Sequence, residues 1–170
     1  MNTINIQTHK SPVGEMLLGS YEGKLCMADW KYRRMRTTID KRLQVGLNAE
    51  YVEERSEVIE QTITQLKEYF TGERKSFDIS LLTVGTDFQK SVWQGLMKIP
   101  YGTTASYLEL SKNIGSAKAV RAVASANGAN AISILIPCHR IIGSNGALVG
   151  YAGGLAAKKK LLEIENNLLS

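Results

Sequence analysis

The sequence predicts an α/β lobe over residues 1–85 followed by a mostly helical lobe over residues 86–170 that contains a helix-turn-helix. Three observations lead there. The first 30 residues alternate apolar and polar side chains between turn signals, the period of half-buried strands. Beyond Gly85 the pattern breaks into short segments of helical period, each preceded by a capping residue. The charge divides at the same place. Residues 1–85 hold 12 Lys/Arg and 12 Asp/Glu, residues 86–170 hold 9 and 4, so the whole net charge of +5 sits in the second lobe.

The elements follow in order. Ile4 to Thr8 alternates as a strand, and Ser11-Pro12-Val13-Gly14 is a turn. Glu15 to Tyr21 forms a second strand, Glu22-Gly23 a tight turn, and Lys24 to Trp30 a third strand, with Trp30 anchoring the core. Lys31, Arg33, Arg34 and Arg36 make residues 31–36 a basic loop or helix start, read as a solvated face. Val58, Ile59, Ile63, Leu66 and Phe70 set a helix over Ser56 to Phe70, stopped at Gly72. Phe77 to Val84 reads as a further apolar strand, and Gly85-Thr86-Asp87 as the boundary between lobes. Thr86 or Asp87 caps a helix through Phe88, Val92, Trp93 and Leu96 that ends before Pro100. Ser106 to Lys112 is a short helix, Asn113-Ile114-Gly115 a turn, and Ser116 caps a helix over Ala117 to Asn127, completing the helix-turn-helix. That last helix is mostly Ala, Val and Ser, with Lys118 at its start and one long cation, Arg121, within it, so its backbone can approach a surface closely. A glycine-rich stretch and a final helix from about Leu155 to Leu168 close the chain.

The chemistry concentrates in Ile132 to Ile142. Cys138 and His139 stand side by side in an apolar run, between Pro137 and Arg140. The β-branched flanks predict a buried strand or extended turn. A thiolate is the nucleophilic form of Cys, and an adjacent imidazole and guanidinium favour it. Taken alone, the pair reads equally as a core thiol beside a hydrogen-bonded His. Cys26, in Lys24-Leu25-Cys26-Met27-Ala28, has no base beside it and reads as core.

Composition excludes several classes. No apolar run approaches the roughly 18 residues of a membrane helix, and the N-terminus lacks the charged-then-apolar pattern of a signal peptide. A cytoplasmic protein with two reduced cysteines is expected. Two Cys and two His do not favour a closed zinc site, so neither metal nor cofactor is expected. A basic lobe beside a neutral one is the footprint of a polyanion binder.

Seven blocks of the second lobe, in order and at matching spacing, resemble the O6-alkylguanine-DNA alkyltransferases, the methylated-DNA–protein-cysteine methyltransferases. They are Phe88-Gln89 with Val92-Trp93, Ile99-Pro100-Tyr101-Gly102 with Ser106-Tyr107, Arg121-Ala122-Val123, Asn127-Gly128-Ala129-Asn130, Pro137-Cys138-His139-Arg140, Gly150-Tyr151-Ala152-Gly153-Gly154-Leu155, and Leu161-Leu162-Glu163-Ile164-Glu165. Residues 1–85 are similar to the family's variable lobe only through Ser11-Pro12-Val13-Gly14 and Leu66, Tyr69, Phe70 and Gly72.

The resemblance implies a ribonuclease-H-like N-terminal lobe and a winged-helix-like C-terminal domain, in a monomer of the bacterial constitutive type. The implied activity is direct-reversal repair, a single irreversible transfer of an alkyl group from O6-alkylguanine, with O4-alkylthymine a second candidate substrate, in double-stranded DNA to Cys138. It assigns His139 as the base acting through a water, Glu165 as its orienter, Tyr107 as a donor to the departing guanine, and Asn130 as a brace for the active-site turn. Arg121 would fill the stack left by a flipped nucleotide, from a helix in the minor groove whose approach Ala119, Ala122 and Ala126 line. Tyr151, Ala152 and Ile141 would shape the substrate pocket. The chain departs from the family pattern at Ala131, where many members have Pro, at Ala152, where some have Ser, and at Lys158-Lys159-Lys160, where many have an aromatic. Two other readings compete: a lesion-binding relative without transfer chemistry, which Cys138 argues against, and a Cys-His hydrolase, for which no acyl pocket is specified.

Overall fold

The computed structural model describes residues 2–166. Strands β1 (Asn2–Ser11), β2 (Gly14–Tyr21) and β3 (Lys24–Trp30) form an antiparallel meander. The β2–β3 turn uses Glu22 at φ 50° and Gly23 at φ 79°, the doubly left-handed two-residue turn whose twist matches the flanking strands. Helix α1 (Arg36–Leu47) then leads to β4 (Ala49–Glu53), which pairs parallel to β1 and gives the sheet order β3-β2-β1-β4. Neither α1 nor β4 is legible in the sequence. α1 buries only Ile39 and Leu43, has no side-chain cap and no acid in its first turn, while β4 buries only Ala49. Helix α2 (Glu57–Phe70) starts where expected, with Ser56 Oγ accepting from Ile59 N at 3.3 Å. Phe77 to Val84 is a correction: it is no strand but an extended segment that touches β3 through one bridge, Leu25 to Leu81.

In the second lobe, α3 (Asp87–Met97) opens on a capping box between Thr86 and Gln89. α4 (Tyr107–Asn113) opens on another, between Ser106 and Glu109. α5 (Val120–Gly128) starts three residues later than Ser116 suggested, because Ala117 and Lys118 form a turn and Ala119, not Ser116, occupies the N-cap. β5 (Ala105–Ser106) and β6 (Ile141–Ile142) form a short parallel pair, and α6 (Leu155–Asn166) ends the described chain. The predicted last turn of that helix, to Leu168, lies outside the described residues.

The lobes share one core. The apolar cluster of Met16, Leu18, Leu25 and Trp30 beneath α2 continues through Trp93, Leu96, Leu135 and Leu161. A second, smaller cluster packs Ile39 and Leu43 of α1 against Ile4, Cys26 and Met27. Polar contacts join the lobes too. β3 donates from Ala28 N to Ala131 O (2.8 Å) and accepts from Ser133 N at Ala28 O (2.7 Å).

Residues 31–36 are the clearest correction, because their arginines are not a solvated face. Arg33 is buried and bonds both oxygens of the fully buried Asp29, at 3.0 and 3.2 Å. It then crosses to the other lobe, donating to Gly128 O (2.7 Å) and Asn130 O (3.3 Å). Arg36 also bonds Asp29, and Arg42 donates to Ala129 O while its guanidinium lies over Trp93. Two cations from the first lobe thus satisfy carbonyls at the C-terminal end of α5, where the helix dipole favours positive charge. Asp29, an acid inside an apolar strand, was the available signal: a buried carboxylate requires cationic partners.

Candidate active site

Cys138 is placed by a knot of tight turns, not by a strand. Ile136 N donates to Ile132 O, Leu135 N to Ser133 O, and Cys138 N to Ile136 O, after which Cys138–Arg140 form one turn of 3₁₀ helix. Ile134 sits at the centre of the knot with φ 72° and is fully buried. A β-branched residue in the left-handed region is strained by roughly 1–3 kcal/mol and persists only where its surroundings over-determine it. Asn130 supplies much of that determination. Its Oδ1 accepts from Ile132 N (2.9 Å), and its Nδ2 reaches Ile136 O (2.9 Å) and Cys138 Sγ (3.3 Å).

Cys138 lies at the floor of a cavity of about 360 Å³ lined by Arg33, Tyr107, Asn127, Asn130, Gly150, Tyr151 and Ala152, among others. Wider depressions elsewhere, such as that between Val45, Val84 and Gln89, are lined by neither cysteine nor histidine. Tyr107 stands at the first position of α4 with its phenol half-buried. Burial raises its pKa, so it holds its proton at neutral pH. Ile141 is a correction: it does not line the cavity, because its pairing with Ala105 turns it fully into the core.

Behind the thiol, one carboxylate gathers donors from three side chains. Glu165 of α6 accepts from His139 Nε2 (2.6 Å) and Tyr69 Oη (2.7 Å) at Oε2, and from Arg140 Nε (2.7 Å) and Nη2 (3.0 Å) at its two oxygens. Arg140 therefore faces Glu165 and, through Nη1, Ile99 O (2.6 Å). It does not face Cys138, as its place in the sequence suggested. Burial alone would raise the Glu165 carboxyl; its hydrogen bonds to His139, Arg140 and Tyr69 outweigh that and hold it at about 2. Burial lowers His139, against the pull of Glu165, so the ring is neutral. With Nε2–H donating to the carboxylate, Nδ1 is a buried lone pair with no protein partner among the described residues. Burial also raises the Cys138 thiol; the Asn130 amide pulls it down, Asp29 raises it, and Arg33 and Lys158 lower it. Lys158, where the sequence departs from the family pattern, is fully buried and donates from Nζ to Val149 O (2.7 Å). A neutral thiol followed in the chain by a neutral, oriented imidazole whose Nδ1 carries no proton is suited to nucleophilic attack with general-base assistance.

These groups fix the response to acid. The unfolded chain takes up a proton at His139 near pH 6.5 that the native ring refuses, so stability present above that pH is lost as pH falls below it. Glu165 adds stability present above its ordinary 4.5 and lost between there and about 2. His9 is lowered as well, by partial burial and by Lys67, so a His9→Gln background isolates the buried ring. In that background the urea midpoint is expected to fall between pH 7 and about 5.5; a flat profile would contradict a neutral buried imidazole.

Beside the cavity, α5 exposes Arg121, Ala122, Ser125 and Gly128, continuing from Lys118, and turns Val123, Ala126 and Asn127 inward. Ala126 is thus a second correction: it is buried, and its carbonyl accepts from Trp93 Nε1 (2.9 Å). Ala119 is partly exposed at the cap. Ser125 was missed because helix phase is readable only once the helix start is known.

Residues 87–167 match the family profile described as 6-O-methylguanine DNA methyltransferase, DNA binding domain, and residues 4–83 match the ribonuclease-like domain of the same family. The chain belongs to the 6-O-methylguanine DNA methyltransferase family. A methylated-DNA–protein-cysteine methyltransferase of Methanosarcina acetivorans is 46% identical over 159 residues, covering 93% of this chain and 96% of that protein. The constitutive one of Bacillus subtilis is 42% identical, covering 93% of each. Among solved structures, Mycobacterium tuberculosis OGT in complex with DNA aligns at a TM-score of 0.82 with 38% identity, over 96% of this chain and 93% of that one. The family architecture is an N-terminal sheet domain followed by a helical DNA-binding domain, as built here. No helix among the described residues is long and apolar enough to cross a membrane.

Proposed function

We infer that this chain performs direct-reversal repair of DNA, moving a methyl or larger alkyl group from O6 of guanine to Cys138 once per molecule. The observation that carries this reading is the nucleophile at the floor of a cavity that opens beside the exposed face of α5. Sγ attacks the alkyl carbon as the carbon–oxygen bond breaks and its electrons return to the base. The thiol proton passes through a bridging water to His139 Nδ1, the only face of the ring free to take it. Tyr107 supplies a proton to the guanine as charge develops there, and Asn130 steadies Sγ and its turn. The products are S-alkylcysteine and guanine, with the thiol's proton formally on the base. Cys138 stays alkylated, so no turnover follows. Tyr151 and Ala152 form the wall against the alkyl group.

The lobes divide at Gly85, with residues 1–85 ribonuclease-H-like and residues 86–170 forming the reactive domain. In the second, α4 and α5 act as a helix-turn-helix and the β5–β6 region as the wing. α5 enters the minor groove of double-stranded DNA, where Ala122, Ser125 and Gly128 allow close approach. The nucleotide must leave the stack to reach a thiol so deeply set. The chain acts as a monomer in the cytoplasm, where thiols stay reduced. Intact mass after incubation with a duplex bearing O6-methylguanine tests the reading: one methyl per chain supports it, and tight binding without mass gain favours a lesion-binding protein instead.

Arg121→Ala is expected to slow repair in duplex DNA by roughly tenfold or more while leaving reaction with free O6-alkylguanine base within about twofold. Extrusion costs a few kcal/mol, and a side chain filling the vacated space offsets part of it. Arg121 is exposed and bonds nothing among the described residues, so its loss is expected to leave the fold intact. If both rates fall together, the role of Arg121 lies in the pocket and not in extrusion.

A further inference from the structure

We propose that Trp30, on the sheet of the first lobe, sets the size of alkyl group that the cavity of the second lobe admits. The inference rests on the repair reading above and concerns the wall opposite the chemistry. Trp30 is the last residue of β3 and is almost fully buried. Its indole meets the Tyr151 ring edge-on, with centroids 5.8 Å apart and planes at 68°. Tyr151 lines the cavity that holds Cys138. The indole also presses on the turn two residues beyond: a Cβ at Gly153 would meet Trp30 Cε2 at 2.6 Å and Cδ2 at 2.8 Å. Gly153 does not have a left-handed φ, so the indole alone accounts for its missing side chain.

Trp30 and Ser133 also flank the Tyr151 hydroxyl, so the indole lies against the polar end of the phenol as well as its ring. Packing against the indole is therefore part of what holds the phenol in place. A wall held by packing moves when the packing behind it changes, because buried interiors leave little slack. Trp30 reaches no reacting atom and acts only through Tyr151 and the Gly150–Gly154 turn, which makes it a positioning residue.

The test compares single-turnover transfer from two duplexes, one bearing O6-methylguanine and one O6-n-butylguanine, followed by intact mass. Trp30→Phe keeps an aromatic in the core but withdraws the fused ring from Gly153, and Trp30→Leu withdraws more. The butyl-to-methyl rate ratio is expected to rise in that order, by roughly tenfold at Leu, a range that one or two methylenes of pocket space command. Gly153→Ala pushes the turn away from the indole and toward the cavity, and is expected to lower the same ratio. The ratio is read only on chains whose circular dichroism and melting are cooperative, and the opposite sign at Gly153 does not depend on altering the core. An unchanged ratio in Trp30→Phe and Gly153→Ala overturns the inference. If the unaltered chain gains mass from neither duplex, the repair reading itself fails, and this inference with it.

Discussion

Cys138→Ala is expected to gain no mass from methylated DNA while still binding it. The sulfur is the acceptor, and no other group can stand in. Cys26 is the remaining thiol, but burial pushes its pKa up to about 12, and it sits in the small cluster with Ile39 and Leu43, away from the cavity. The substitution costs little in folding, about 1 kcal/mol for one small buried group. Asn130 keeps its bonds to Ile136 O and Ile132 N, so the turn keeps its brace. Intact mass and peptide mapping of the unaltered chain, run beside the variant, decide the matter. A methyl on Cys26 in either protein would overturn the assignment of Cys138 as sole acceptor.

Glu165→Gln is expected to slow alkyl transfer by roughly a hundredfold or more, the scale of positioned base catalysis, and to destabilise the fold by about 3 kcal/mol. The reason lies in counting acceptors. His139 Nε2–H, Tyr69 O–H, Arg140 Nε–H and Arg140 Nη2–H all point at this carboxylate. A carboxylate accepts all four; an amide offers one oxygen and sets its own N–H groups against at least one of the donors. If the imidazole answers by shifting its proton to Nδ1, the face that should take the thiol proton is blocked. If Arg140 loses its partner, a buried cation is left uncompensated. Transfer rates measured at a temperature where the variant is fully folded separate these effects from unfolding, and DNA affinity should change far less than the rate. Equal transfer rates for variant and parent would remove Glu165 from the chemistry and leave it a structural role only.

The sequence alone reached the buried Cys138-His139 pair and the strand meander, because each is a local property. Cys138-His139 is a contact in the chain itself, the meander is written in a period of two with turn residues between, and α3 and α4 are announced by caps three residues from their partners. The elements it missed carry weak local signals. α1 and β4 bury one or two side chains each and are held by what packs on them. Arg140 shows the limit most plainly: two residues from Cys138 in the chain, it is carried by one turn of 3₁₀ helix onto Glu165.

What the sequence by itself determined, then, was the paired Cys138 and His139, a sheet lobe followed by a helical one, and the basic charge of the second half. Only the tertiary structure decided that Arg33 and Arg42 are interior struts joining the lobes, that Ala126 and Ile141 face the core, and that Trp30 backs the cavity wall. The physical reason is the same in each case. A charge can be buried when a carboxylate or helix-end carbonyls from elsewhere in the chain receive it. A side chain turns inward or outward according to the phase of an element whose start is set by distant packing. Asp29 is four residues from Arg33, but Gly128 and Ala129 lie 95 and 87 residues from the arginines they receive, beyond the reach of any local pattern.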